Sequence, residues 1–161
     1  MAIMTYFENL DQSEVTQLED AFTWIYLLLA TTTEKAGSLE QQEALHTVKV
    51  RGYEENHLFY QFYDQVHAKM EVNIQSWMDR MGVKHNAAEN YERLLTQLNP
   101  ILAKLKPPVA RRMYKDYLSY AYRIANASGG FLGFGRISKA EHDLIGLPMI
   151  TPIAPVEDEE E

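Results

Sequence analysis

The chain of 161 residues contains no cysteine, which excludes disulfides, thiolate zinc sites, iron–sulfur clusters and cysteine nucleophiles. Its absence agrees with a reducing compartment. Long apolar runs are missing too, because the most apolar stretch, Ala21–Ala30, is about half as long as a bilayer-spanning helix. The first ten residues have neither the positive charge nor the apolar run of a signal peptide. We therefore expect a cytoplasmic protein without membrane insertion.

Positive charge is also scarce, since 15 lysines and arginines face 23 acids and the formal net charge is −8. Nucleic-acid binding depends largely on basic side chains that neutralise phosphates, so this balance argues against a nucleic-acid partner. One local concentration of positive charge surrounds Pro107 and Pro108. It consists of Lys104, Lys106, Arg111 and Arg112. We interpret it as a solvated helix junction.

No sustained alternation of apolar and polar residues indicates a strand, whereas apolar residues at steps of three and four recur along the chain. The predicted helices run from Asp11 or Ser13 to about Thr32, from a Ser38 cap towards Gly52, from about Glu55 to Met81, from Asn86 to Pro100, from Ile101 to Leu105, from Pro108 to Gly129–Gly130, and from a Ser138 cap to Pro148. Residues 1–150 are therefore predicted to form one all-α domain, a bundle of six or seven helices. Residues 151–161, with two prolines and five acids, are predicted to be an extended or disordered tail without a core role.

Three acid-x-x-His pairs are the sharpest chemical motif, namely Glu43/His46, Glu54/His57 and Asp64/His67. Residues three apart share a helix face, and helical bundles build dinuclear metal sites from this spacing. One straight helix would separate the first two pairs by about 16 Å, which is too far for a shared site. A chain reversal at Gly52 would bring them together.

Such a site also needs inward-facing glutamates from other helices, for which Glu19 and Glu89 are the candidates, although neither lies on the apolar stripe of its helix. A helical-bundle metalloenzyme that uses Glu43, His46, Glu54 and His57 is therefore one hypothesis. The other interpretation of these pairs is a charged, solvated helix face. No sequence motif of a catalytic triad or of a metalloprotease is present, so we expect no enzyme activity.

A short pattern occurs twice, in Gly37–Glu43 and in Gly135–Glu141, each time after a long apolar helix and at the start of another helix. This arrangement resembles the TerB-like family of tellurite-resistance proteins. The resemblance implies an all-helical domain with two related halves, a role in stress resistance, and metal binding at the acidic turns. Where the family has aspartate, this chain has Ala36 in the first turn, and Gly129 or Phe134 in the second.

The resemblance leaves Glu43, His46 and Glu141 as the ligands for a weakly bound divalent metal, with His142 or Asp143 beside them. It implies a non-enzymatic stress-response protein that acts through protein partners. A third hypothesis is an interaction module without a ligand. In that case Phe131 and Phe134 of the glycine-rich loop would be exposed for a partner, instead of packing on the core.

Overall fold

The computed structural model describes residues 5–31, 59–82, 85–131 and 143–154. Within these residues the fold consists of α-helices and two 3-10 turns, with no β-strand. The α-helices are α1 (Gln12–Ala30), α2 (Tyr60–Met81), α3 (Ala88–Thr96), the five-residue α4 (Leu98–Leu102) and α5 (Pro107–Phe131). The 3-10 turns are Thr5–Phe7 and His85–Ala87. The all-α prediction is confirmed, whereas the count of six or seven helices and the two related halves stay predictions.

Helix α1 is the centre of the described bundle. Asp11 caps it, because its carboxylate accepts the Glu14 N–H at 2.8 Å while Glu14 accepts the Asp11 N–H at 3.0 Å. From Ala21 to Ala30 each residue is buried, and α2, α3, α4 and α5 all contact this helix. The apolar stretch is therefore a core helix, as predicted. None of the described helices has the length and apolarity needed to cross a membrane.

Helix α2 presents one apolar face to α1, and this face holds Phe62, Tyr63, Val66, Met70, Ile74 and Trp77. The predicted stop at Gly82 is confirmed, since its φ of 79° is a conformation that glycine adopts without strain. Tyr91 of α3 fastens this helix end by donating its hydroxyl to the Gly82 carbonyl at 2.6 Å. Burial raises the pKa of Tyr91 to about 12.

Two predicted helix boundaries are wrong. The chain breaks at Gln97 rather than at Pro100, which is the third residue of α4. A proline is tolerated there because the first N–H groups of a helix have no acceptor within it. The prediction that the helix beginning at Pro108 ends at Gly129–Gly130 is also wrong, since α5 continues to Phe131. Glycine costs a helix only about 1 kcal/mol and is no obligatory stop.

After two helical residues, 143 and 144, the chain crosses the α4–α5 corner in turns and in a segment without regular secondary structure, up to residue 154. Leu147 and Ile150 are fully buried in the same core as α1. Residues 151–154 have no regular secondary structure, and 155–161 lie outside the described residues. The prediction that they have no core role needs one correction, because Ile153 packs partly buried against the core.

Candidate functional site

The predicted metal ligands Glu43, His46, Glu54, His57 and Glu141 all lie outside the described residues, so their convergence stays a prediction. His142 and Phe134 also lie outside them. The third acid-x-x-His pair is on α2, where Asp64 is exposed and His67 is partly exposed. Within residues 5–31, 59–82, 85–131 and 143–154, no three potential ligands meet at a point that would hold a metal ion.

The two candidate bundle glutamates differ in their surroundings. Glu89 is exposed on α3, as expected for a residue outside the apolar stripe. Glu19 is only 6% exposed, and its Oε1 atom lies 2.6 Å from Nζ of Lys69 on α2. Glu19 therefore faces inward, although the sequence places it outside the apolar stripe of its helix. From Leu18 to Ala30 every residue of α1 except Asp20 is buried. A buried carboxylate is tolerable there when a cation compensates its charge.

Lys69 also approaches a second carboxylate of α1. Its Nζ lies 3.8 Å from Oδ1 of Asp20, and Asn73 donates its side-chain amide to the same oxygen at 2.9 Å. Burial raises the pKa of Asp20, against the opposing effect of the Lys69 charge, and the neighbouring Glu19 adds to the rise. A polar cluster thus links α1 to α2. It consists of Glu19, Asp20, Lys69 and Asn73.

One buried carboxylate, on α5, was not predicted from the sequence. Asp116 is 2% exposed, accepts the Tyr63 hydroxyl of α2, and lies 3.5 Å from Nε of Arg112. The signal was present, because Asp116 is three residues after Met113 and four before Tyr120, both on the apolar stripe of α5. An acid on such a stripe needs a buried partner.

An open apolar cleft of about 290 Å³ lies at the α4–α5 corner. Its lining residues are Asn99, Leu102, Ala103, Leu105, Pro107, Ala110, Thr151 and Ile153. Asn99 holds the extended chain there through both ends of its amide. It donates to the Met149 carbonyl at 3.2 Å and accepts the Thr151 N–H at 2.8 Å. The Asn99 amide thus donates one hydrogen bond to this segment and accepts one from it, as the backbone of a neighbouring β-strand does.

The basic concentration around the two prolines is more than a solvated junction. Lys104 pairs with Glu14 of α1, and this contact raises the Lys104 pKa and holds the Glu14 pKa below its usual range. Arg111 donates to the Ile153 carbonyl at 2.7 Å, and Arg112 lies beside Asp116. Two of the four residues, Lys104 and Arg111, therefore fasten other parts of the fold to α5 and to its preceding loop, whereas Arg112 pairs within α5.

The chain matches no family model, no curated protein and no solved structure. The likeness to the TerB-like family accordingly rests on the turn motifs at Gly37–Glu43 and Gly135–Glu141.

Proposed function

We propose that the chain is a non-enzymatic, cytoplasmic stress-response protein of the TerB type. It acts through protein partners and binds a divalent metal weakly at Glu43, His46 and Glu141. One observation supports a binding protein over an enzyme. The two carboxylates buried in the described bundle are both engaged by the fold, Glu19 by Lys69, and Asp116 by Tyr63 and Arg112.

This engagement bears on catalysis because a general acid or base has to reach the proton that it transfers. Glu19 and Asp116 point instead at side chains of neighbouring helices, where they connect α1 to α2 and α2 to α5. Such pairs stabilise a scaffold and define its helix positions. The proposal therefore assigns the chemistry of this protein to its surface and its turns.

Metal content and metal-dependent melting test the proposed site. The protein is purified without a metal-affinity tag, its metals are measured by elemental mass spectrometry, and it is melted with EDTA, Zn²⁺, Mn²⁺ or Ca²⁺. A metal present at 100 times its dissociation constant adds about 2.7 kcal/mol to the free energy of unfolding. We expect Glu43→Ala and Glu141→Ala to abolish this shift, and Glu89→Ala, on the exposed face of α3, to leave it unchanged.

Stoichiometry separates the proposal from the metalloenzyme hypothesis. Two tightly bound metals per chain, lost in Glu54→Ala as well as in Glu43→Ala, would favour the dinuclear site with His46 and His57. Absence of any metal and of any melting shift would remove both metal sites and leave the interaction module.

The stress role has its own test. A strain that lacks the gene is compared, on tellurite and on oxidants, with strains that carry the wild-type or the Glu43→Ala gene. We expect lower tolerance without the gene. Equal growth of all three strains would contradict the stress-response assignment.

A further inference from the structure

Three parts of the chain enclose the apolar cleft at the α4–α5 corner. The end of α4 forms one wall, the start of α5 with its preceding loop forms the second, and residues 151–153 form the third. Leu102, Leu105 and Ala110 contribute buried apolar side chains. None of the described residues that line the cleft is charged. An apolar group that enters it therefore exchanges water for apolar neighbours, which is favourable.

The C-terminal wall of the cleft is held by side chains rather than by regular secondary structure. Asn99 bonds both the Met149 carbonyl and the Thr151 N–H, and Arg111 donates to the Ile153 carbonyl at 2.7 Å. Segments with few backbone hydrogen bonds open at a lower free energy than core helices do. This wall can therefore move away from α5 to admit a ligand and then close on it.

A free cation stands beside the cleft. Lys106 lies between the lining residues Leu105 and Pro107 in the chain. It is exposed and pairs with no acid in the described part of the chain, whereas Lys104, two residues earlier, is already paired with Glu14. The lysine side chain is a point charge on a flexible four-carbon stem, so its ammonium group can reach the opening of the cleft.

Thr151 supplies a second polar group, on another wall. Its N–H is bonded to Asn99 at 2.8 Å, but its exposed hydroxyl has no hydrogen-bond partner among the described residues. A hydroxyl donates readily to a carboxylate, and so does an ammonium group. Small-molecule sites typically bury an apolar body and orient it through a few polar groups, and this cleft has both elements.

These features together define a class of ligand. We propose that the apolar cleft binds a medium-chain fatty acid, with the alkyl chain against Leu102, Leu105 and Ala110 and the carboxylate at Lys106 and Thr151. A methylene group takes up about as much space as a molecule of liquid water, about 30 Å³. The cleft volume of about 290 Å³ therefore accommodates a chain of about ten carbons. The site does not depend on the proposed metal site or stress role.

A series of chain lengths tests the apolar contacts. Hexanoate, octanoate, decanoate and dodecanoate are titrated into the protein below their micelle concentrations, and calorimetry measures each affinity. We expect the affinity to rise about threefold to fourfold for each methylene up to decanoate, because each one leaves water. Dodecanoate should gain no more, because its additional carbons extend beyond the cleft. No binding of decanoate, or an affinity independent of chain length, would overturn the proposal.

NMR locates the bound ligand. On addition of decanoate we expect the methyl signals of Leu102, Ala110 and Ile153 to shift, and those of Val72, 70% exposed on α2, to remain in place. Shifts confined to residues away from the cleft would place the fatty acid elsewhere and contradict the assignment.

A variant that fills the cleft provides an independent check. Ala103 is exposed and lines the cleft, so Ala103→Phe adds a ring there without disturbing the buried core. We expect decanoate to bind at least about tenfold more weakly, since the ring takes the space of several methylene groups. Ala68→Phe, at an exposed position of α2, should leave the affinity unchanged. Circular dichroism verifies that both variants fold, and equal affinities in both would remove the site.

The carboxylate contact is tested with a matched change of charge. Lys106→Gln should weaken decanoate about twofold to fivefold, as expected for an exposed ion pair, and leave the binding of decanol unchanged. Thr151→Val should also weaken decanoate. Arg123→Gln, which removes an exposed charge from the distant part of α5, should change neither ligand. If wild type bound decanol as tightly as decanoate, the cleft would recognise the alkyl chain alone and the proposed fatty-acid specificity would be wrong.

Discussion

At the scale of single residues, Leu147 shows how burial can hold an unfavourable backbone. It is fully buried, yet its φ is 46°, the only positive φ of a non-glycine residue among those described. An L-residue in the left-handed region costs about 1–2 kcal/mol. Burial of the leucine side chain is worth about 1.5–3 kcal/mol and offsets this cost. The exposed glycine that precedes it, Gly146, is not the residue that adopts the positive φ.

We predict that Leu147→Gly is at least as stable as Leu147→Ala. Both lose the leucine side chain, at about 2–5 kcal/mol, but only glycine relieves the backbone strain. The matched pair Leu95→Ala and Leu95→Gly, at a fully buried position in α3, should show the opposite order, with glycine less stable by about 1 kcal/mol. Urea unfolding measures all four free energies. If the glycine variant were less stable than the alanine variant at both positions, the backbone of Leu147 would not be strained.

Asp20 gives a prediction of pH dependence. Burial raises its pKa in the folded state, so the folded protein binds this proton more tightly than the unfolded chain does. The contribution of Asp20 to stability therefore falls as the pH rises from its ordinary value of 3.8 through the raised pKa. Asp20→Asn removes this fall and keeps an oxygen for Asn73.

We expect the free energy of unfolding of Asp20→Asn, relative to wild type, to increase from pH 3.5 to pH 7. Urea titrations across this range measure it. Exposed Asp64→Asn on α2 is the control, with a smaller change expected. A relative stability that decreases with pH would show that the Lys69 charge outweighs the burial of Asp20.

At the scale of elements, boundaries that depend on local chemistry were predictable, and those that depend on packing were not. Asp11 caps α1 and Gly82 ends α2 because a side-chain oxygen and a positive φ act within one turn. The break at Gln97 instead places Tyr91 and Leu95 on one side and Leu98 and Ile101 on the other, all in the same core. Those side chains pack against α1, and the local sequence around Gln97 does not show where α1 lies.

The two hydrogen bonds between the Asn99 side chain and the C-terminal segment could not be predicted either, because its partners lie about 50 residues away. We predict that Asn99→Ala costs about 1–3 kcal/mol, since it leaves the Met149 carbonyl and Thr151 N–H without this partner. Hydrogen exchange of the Thr151 amide should accelerate about tenfold or more, each 1.4 kcal/mol being a factor of ten. Asn90→Ala, on the outer side of α3, should leave it unchanged. An unchanged Thr151 rate in Asn99→Ala would show that Arg111 alone holds the segment.

At the scale of the whole molecule, the described bundle is organised around the side chains of α1. Phe22 is 1% exposed and contacts aromatic rings of both α2 and α5, with centroids at 6.3 Å for Phe62, 5.7 Å for Tyr63, 4.9 Å for Tyr117 and 5.2 Å for Tyr120. This ring cluster joins three helices at one point. The members of this cluster lie at helical spacing in the sequence, but their meeting could not be predicted because it depends on helix packing angles.

We predict that Phe22→Ala lowers the free energy of unfolding by about 3–5 kcal/mol, a large part of the 5–15 kcal/mol typical of a domain. Val72→Ala, at a 70% exposed position of α2, should change it by less than about 0.5 kcal/mol. Circular dichroism and the fluorescence of Trp24 and Trp77, whose rings are 5.6 Å apart, should report one shared transition. Separate transitions would show that α1 does not unite the bundle.

The bond between the first and the last long helix also has a consequence for biosynthesis. Tyr117 donates its hydroxyl to the Leu18 carbonyl at 2.8 Å, across 99 residues of sequence. Ribosomes add about 5–20 residues per second, so Leu18 is made roughly 5–20 s before Tyr117. During that interval the largely apolar second half of α1 lacks α5, one of the helices that cover it. The core around α1 is therefore completed only after α5 has been made.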